Sequence, residues 1–203
     1  MVNWPRVLWR RILWRLDDYR GDAALGVPTR GFQLSDTDTA RQFYGYWACP
    51  YATLDDIAAR MAASDLQPRL FLDIGCGLGR PLYALADRFE RLIGYEVDPA
   101  KVAKAKALLA KAQAAKLAYR SIEIVEADAV QALELTEPAV LFLYNPFGPE
   151  PLRRFAERIV QSRQPIDLYY VNPQHSAVLT GALGQSPERV ESFVRFDVWR
   201  LRP

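Results

Sequence analysis

Two cysteines and one histidine are all that this 203-residue chain offers a soft metal. Cys49 and Cys76 make neither a disulfide framework nor a metal cluster, which suits a reducing compartment and points to the cytoplasm. No metal is expected. No apolar run approaches the roughly 20 residues that a membrane-crossing helix needs. A secretory leader is excluded too, because arginines interrupt any apolar core among the first twenty residues. The net charge of +2 is too small to argue for nucleic acid by itself. Internal repeats and low-complexity tracts are missing. What is present is the composition of an ordinary soluble protein, long enough for one domain with a sizeable core.

Within it, one stretch organises the rest: Phe71-Leu72-Asp73-Ile74-Gly75-Cys76-Gly77-Leu78-Gly79-Arg80-Pro81. Residues 69–74 read as a short buried strand closed by glycine. From Pro81 the period changes, and Leu82, Leu85, Ala86 and Phe89 fall on one face of a helix. Three alternating glycines therefore occupy a strand-to-helix turn, where a ligand can approach bare backbone and meet unpaired N–H groups. A dinucleotide fingerprint is G-x-G-x-x-G; here the spacing is Asp-x-Gly-x-Gly-x-Gly, led by an acid. Cys76, inside the loop, reads as a small turn residue rather than a reactive thiol.

Residues 1–50 read as an N-terminal helix and aromatic cap segment, and residues 51–203 as the main domain, the whole forming one globular unit. Trp4, Trp9 and Trp14 alternate with Arg6, Arg10, Arg11 and Arg15. The mixture suits a basic amphipathic helix in weak contact with a membrane surface or RNA through residues 1–18. The reading preferred on sequence is a helix that packs its tryptophans on the domain and points its arginines at water. Residues 19–50 read as loop and turn, with the aromatic run Phe43-Tyr44-Gly45-Tyr46-Trp47. Thr53 is expected to cap a helix with the apolar face Leu54, Ile57, Ala58 and Met61.

Beyond the glycines, strand and helix alternate. Strands are expected at 91–96, 121–126, 139–144 and 166–171. Asp98-Pro99 should open a long helix whose lysines, Lys101 among them, form a solvated face. A weak helix should follow Pro173. The tail, 189–201, is strand-like, with no turn residue to divide it. The expected fold is α/β: a doubly wound, mostly parallel, Rossmann-like sheet with helices on both faces. Ligands in such sheets bind at the carboxyl ends of the strands, near the switch point. Those ends carry Asp73, Glu96, Asp128, Tyr144-Asn145-Pro146-Phe147-Gly148 and Asn172-Pro173-Gln174-His175. Glu96 stands at about the distance past the glycines where an acid can accept from a ribose. Asp128 is equally compatible with a helix N-cap. His175 could serve as a base near neutral pH, though a lone histidine is more often structural.

The order Asp-x-Gly-x-Gly-x-Gly, Glu96, Asp128, Asn-Pro-Phe resembles the class I S-adenosylmethionine-dependent methyltransferases. The resemblance implies S-adenosylmethionine as cofactor, held by Asp73, Gly75, Gly77, Gly79, Glu96, Asp128 and Tyr144, with Tyr51 and Thr53 as possible neighbours. It also implies that Asn145, Pro146 and Phe147 orient the methyl acceptor. The strand-four end is similar to the Asn/Asp-Pro-Pro-Tyr/Phe motif of enzymes acting on amino groups of adenine, guanine or glutamine, but has one proline, then Phe and Gly. It resembles at least as well the non-SET histone lysine methyltransferases, and small bacterial-type methyltransferase domains with a Tyr-Asn-Pro-Phe-Gly strand end. The expected reaction is methyl transfer to a nucleophile, nitrogen first, on a protein or small molecule. A lysine amine would need a dry aromatic pocket, for which Tyr44, Tyr46, Trp47 and Phe147 are candidates. The rival readings are a nucleic-acid or glutamine amino-group methyltransferase, a non-catalytic cofactor-binding scaffold and an NAD-dependent oxidoreductase.

Overall fold

In the computed structural model the described residues are 4–30, 44, 47–116, 119 and 121–203; for residues 4–8, 10 and 11 the description stops at the backbone. Seven strands form one sheet: β1 (Leu70–Ile74), β2 (Arg91–Glu96), β3 (Ile122–Glu126), β4 (Ala139–Tyr144), β5 (Ile166–Val171), β6 (Glu188–Val190) and β7 (Phe196–Leu201). Their order is β3-β2-β1-β4-β5-β7-β6. The first five pair in parallel; β7 runs antiparallel to both β5 and β6. The helices are α1 (Trp4–Leu25), α2 (Tyr51–Ala62), α3 (Arg80–Ala84), α4 (Pro99–Ala115), α5 (Ala129–Ala132), α6 (Pro149–Ser162) and α7 (Ser176–Leu183). One face of the sheet packs against α2, α3 and α4, through Leu54, Ile57, Leu82, Val102 and Ala105. The other packs against α5, α6 and α7, through Val130, Leu152, Phe155, Ile159 and Leu179. This is the doubly wound α/β architecture. Strands buried on both faces read as near-continuous apolar runs, as β4 does throughout and β1 and β5 do apart from Asp73 and Asp167.

Three local expectations are corrected, and one point that the sequence leaves open, whether the tail is one strand or two, is answered. The helix after the glycines is one short turn, α3, followed by a 3-10 turn at Ala86–Arg88. The tail is two strands, because residues 191–195 are drawn onto α2. Val194 N–H donates to Thr53 Oγ1 at 3.0 Å, and Ser192 Oγ donates to Asp56 Oδ2 at 2.7 Å. Thr53 is thus not the N-cap of α2, nor near the glycine loop by any contact described. The cap arrives from another helix: Asp17 of α1 accepts the Tyr51 and Ala52 N–H groups at 2.7 and 3.2 Å. Lys101 is not on the solvated face either. It is buried, with Nζ 3.5 Å from Asp98 Oδ2 and 3.9 Å from Glu96 Oε1. Asp98 does open α4, accepting from Ala100 N–H at 2.9 Å.

Candidate active site

The winding of the chain reverses between β1 and β4. The loop after β1 leads to α3 on one face of the sheet, and the loop after β4 leads to α6 on the other, which leaves a crevice at their carboxyl ends. Gly75, Gly77 and Gly79 all have positive φ, 73°, 55° and 79°. At Gly75 the reason is also space: a Cβ there would stand 2.8 Å from Pro146 Cβ, so the glycine loop and the Asn-Pro turn touch.

Asp73 ends β1 almost completely buried, and its Oδ2 has no hydrogen-bond partner among the described residues. Burial first, then the neighbouring Glu96 charge, pushes its pKa well above the usual carboxylate range. Glu96 turns towards the loop. Its Oε2 accepts Gly77 N–H at 3.0 Å, while Oε1 accepts Val97 and Asp98 N–H at 2.9 and 3.0 Å. Three of about four lone-pair positions are therefore taken, which leaves room for one further donor rather than two. The loop is less open to a ligand than the sequence suggests. The N–H groups of Gly75 and Cys76 donate to the Tyr95 carbonyl and that of Gly79 to the Cys76 carbonyl. With Gly77 on Glu96, the loop offers bare Cα surface and carboxylates more than free donors. Asp128 caps α5, accepting Val130 N–H at 2.9 Å, and also accepts from Gln131 Nε2 at 2.9 Å. The adjacent Ala127 N–H donates to the Glu96 carbonyl, which brings the ends of β2 and β3 together.

At the ends of β4 and β5, Asn145 and Asn172 both adopt left-handed backbone, φ 44° and 49°, which asparagine tolerates better than most residues. Tyr144 pairs with Val171, so the two Asn-Pro turns lie side by side. Tyr170 of β5 donates its hydroxyl to Asn145 Oδ1 at 2.5 Å. Tyr44 N–H donates to the Pro146 carbonyl at 3.0 Å, and the Tyr44 hydroxyl lies 3.0 Å from His175 Nε2. Of the expected aromatic pocket, then, Tyr44 stands beside the turn. Phe147 does not offer a face to it: its ring is buried in the core against Phe155. Trp47 is exposed and meets Trp14 of α1. Tyr46 lies outside the described residues. Tyr144 is half-buried, and burial raises its pKa.

The sequence reading assigned no role to Arg80. It is 1% exposed and links the glycine loop to the N-terminal helix. Its guanidinium donates to Asp18 Oδ1, to Thr29 Oγ1 at 2.7 Å and to the Cys49 carbonyl at 3.0 Å. It also lies 3.6 Å from Asp22 and 4.5 Å over the Tyr51 ring. Tyr51 is held in the same cluster, its hydroxyl donating to Asp22 Oδ1 at 2.7 Å. The only signal in the sequence was three acids closing an otherwise basic helix. Tyr170 was missed because it looks like any other residue of a buried strand.

The doubly wound sheet with its switch-point crevice is the fold of the class I S-adenosylmethionine-dependent methyltransferases. Residues 71–161 match the family model described as a methyltransferase domain. The chain is an enzyme of that superfamily, and its cofactor is S-adenosylmethionine. No curated protein matches it in sequence. Among solved structures it is similar to magnesium protoporphyrin IX methyltransferase from Synechocystis PCC 6803 with bound SAM. That pair has 16% identity and a TM-score of 0.55, covering 74% of this chain and 78% of the other. A SAM-dependent methyltransferase from Aquifex aeolicus gives 14% and 0.56, covering 81% and 93%. An RNA methyltransferase from Salinibacter ruber in complex with S-adenosyl-L-homocysteine gives 17% and 0.52, covering 77% and 94%.

Proposed function

We propose that this chain methylates a nucleophile, most readily a nitrogen, on a protein or small-molecule acceptor. The observation that carries the reading is the unpartnered, buried Asp73 carboxylate beside Glu96. Two acids in a dry site suit a cationic ligand and oppose an anionic one. They fit the ammonium and sulfonium of S-adenosylmethionine, and they argue against the pyrophosphate of NAD. Asp73, Glu96, the bare glycine Cα surface and Asp128 are the residues that would hold the cofactor, with Tyr144 at the β4 edge. The sulfonium supplies an already activated methyl group. The protein's part is to align the acceptor with it and exclude water.

The turn argues against a planar amine. A nucleobase or glutamine amino group would need Asn145 Oδ1 and the Pro146 carbonyl as acceptors. Tyr170 and Tyr44 already donate to those two atoms, which leaves each oxygen one lone pair and only part of its surroundings free. The structural neighbours range from RNA to porphyrin enzymes, so the fold does not choose among acceptors. What remains for Asn145 is to present its amide N–H, with Tyr44 and His175 beside it, to an acceptor of another shape.

Calorimetry should show heat with S-adenosylmethionine and none with NAD. Radiolabelled methyl transfer into cell extract should label protein or small molecules, and Asn145→Ala should lower it at least ~10-fold. Label in RNA, or undiminished labelling by the variant, would overturn the reading of the acceptor site.

A further inference from the structure

The sequence reading that packs the tryptophans of α1 on the domain holds for Trp14 and fails for Trp9. Trp14 meets Trp47 and Phe193. Trp9 is 64% exposed, and Ile12, Leu13, Leu16 and Tyr19 are exposed by 40%, 51%, 48% and 64%. Their spacing puts all five on one stripe of the helix. They are five of the seven large apolar side chains exposed among the described residues. The acids of the same helix are taken up by contacts within the fold. All three acids of α1 turn inwards: Asp17 onto α2, Asp18 onto Arg80, and Asp22 onto Thr29 and Tyr51. Arg15 and Arg20 are exposed. The first sixteen residues carry Arg6, Arg10, Arg11 and Arg15 with no acid among them.

We infer that α1 is a docking surface for an anionic lipid bilayer, lying in its interface. The stripe supplies aliphatic insertion flanked by Trp and Tyr, the pair of residues that settles at headgroup level. The arginines supply attraction to anionic headgroups. An RNA partner would account for the arginines and aromatics but leaves Ile12, Leu13 and Leu16 without a purpose, since bases stack on rings. No helix among the described residues is long and apolar enough to cross a membrane, so the contact is with the surface. The inner face of α1 grips Arg80, one residue past Gly79, so docking sets that guanidinium about one helix thickness, roughly 10 Å, from the lipid, with the glycine loop behind it. The inference does not depend on which acceptor is methylated.

The test is sedimentation of the full chain with two kinds of vesicle, phosphatidylcholine alone and phosphatidylcholine mixed with phosphatidylglycerol. The chain should pellet with the mixed vesicles, release as salt rises, and bind phosphatidylcholine alone far more weakly. Leu13→Glu with Leu16→Glu should weaken binding about tenfold or more. Arg15→Glu, at an exposed position, should weaken it several-fold with an unchanged melting curve, and it decides the matter if the double variant unfolds. Variants that bind as tightly as the parent would overturn the inference. So would a chain that ignores both vesicles, whether it pairs with itself in sedimentation or retains an RNA oligomer instead.

Discussion

A carboxylate held dry without a partner costs the cofactor-free fold stability, and Asp73 is such a group. Burial and the Glu96 charge raise its folded pKa above that of the unfolded chain. The folded state therefore holds the proton more tightly. The contribution of Asp73 to stability is greatest below the unfolded pKa and is lost as pH rises through the folded one. Cofactor binding runs the other way: a cation favours the ionised carboxylate, so affinity should increase as pH rises through that folded pKa. In that window binding should release protons, seen as calorimetric heats that differ between buffers of different ionisation enthalpy. Asp73→Asn separates the two effects. It should leave the cofactor-free chain as stable or more stable, by up to about 1–2 kcal/mol, and remove the part of its pH dependence that Asp73 contributes. It should also weaken S-adenosylmethionine binding roughly 10–100-fold. A variant that loses stability and affinity together would make Asp73 a structural residue instead.

At the scale of elements, periodicity located what is buried on both faces. The expected bounds of β2, β4 and β5 are those observed, because short, mostly apolar runs between turn residues have few other folded uses. The Asp98-Pro99 start of α4 was equally legible, since the cap is local. What could not be read was set by contacts distant in sequence. Thr53 looks like a cap and instead binds the 192–194 segment, dividing β6 from β7. The strand-end acids could be named from sequence, but not that Glu96 has three N–H partners within its own loops or that Tyr170 engages Asn145. The cap of α2 comes from Asp17, which is 34 positions before Tyr51. Asp17→Ala should therefore destabilise the chain by ~1 kcal/mol with little change in cofactor affinity. Asp56→Ala removes only a contact to the 191–195 loop and should cost less. Equilibrium denaturation of both variants gives the comparison.

Over the whole molecule, the sequence suggested a boundary near residue 50, with the methyltransferase domain beginning at 51. We propose instead that the physical division falls inside α1. Its first half presents most of the exposed stripe, while Asp17, Asp18 and Asp22 in its second half, with Thr29 after it, hold α2 and the buried guanidinium of Arg80. A buried charge stripped of its partners costs on the order of 3–5 kcal/mol, comparable to much of the stability of a domain. Two truncations should then behave very differently. Removing residues 1–16 deletes all of the stripe but Tyr19, and the Trp14 contacts, but keeps the acids, so the chain should melt in one cooperative transition, lowered by only a few degrees. It should still bind S-adenosylmethionine and no longer pellet with anionic vesicles. Removing residues 1–30 leaves Arg80 with neither Asp18, Asp22 nor Thr29, beside a loop that has lost its anchor. That chain should lose the cooperative transition and the cofactor together. If it melted like the full chain, Arg80 would not be the joint between the N-terminal helix and the glycine loop, and the boundary near residue 50 would stand.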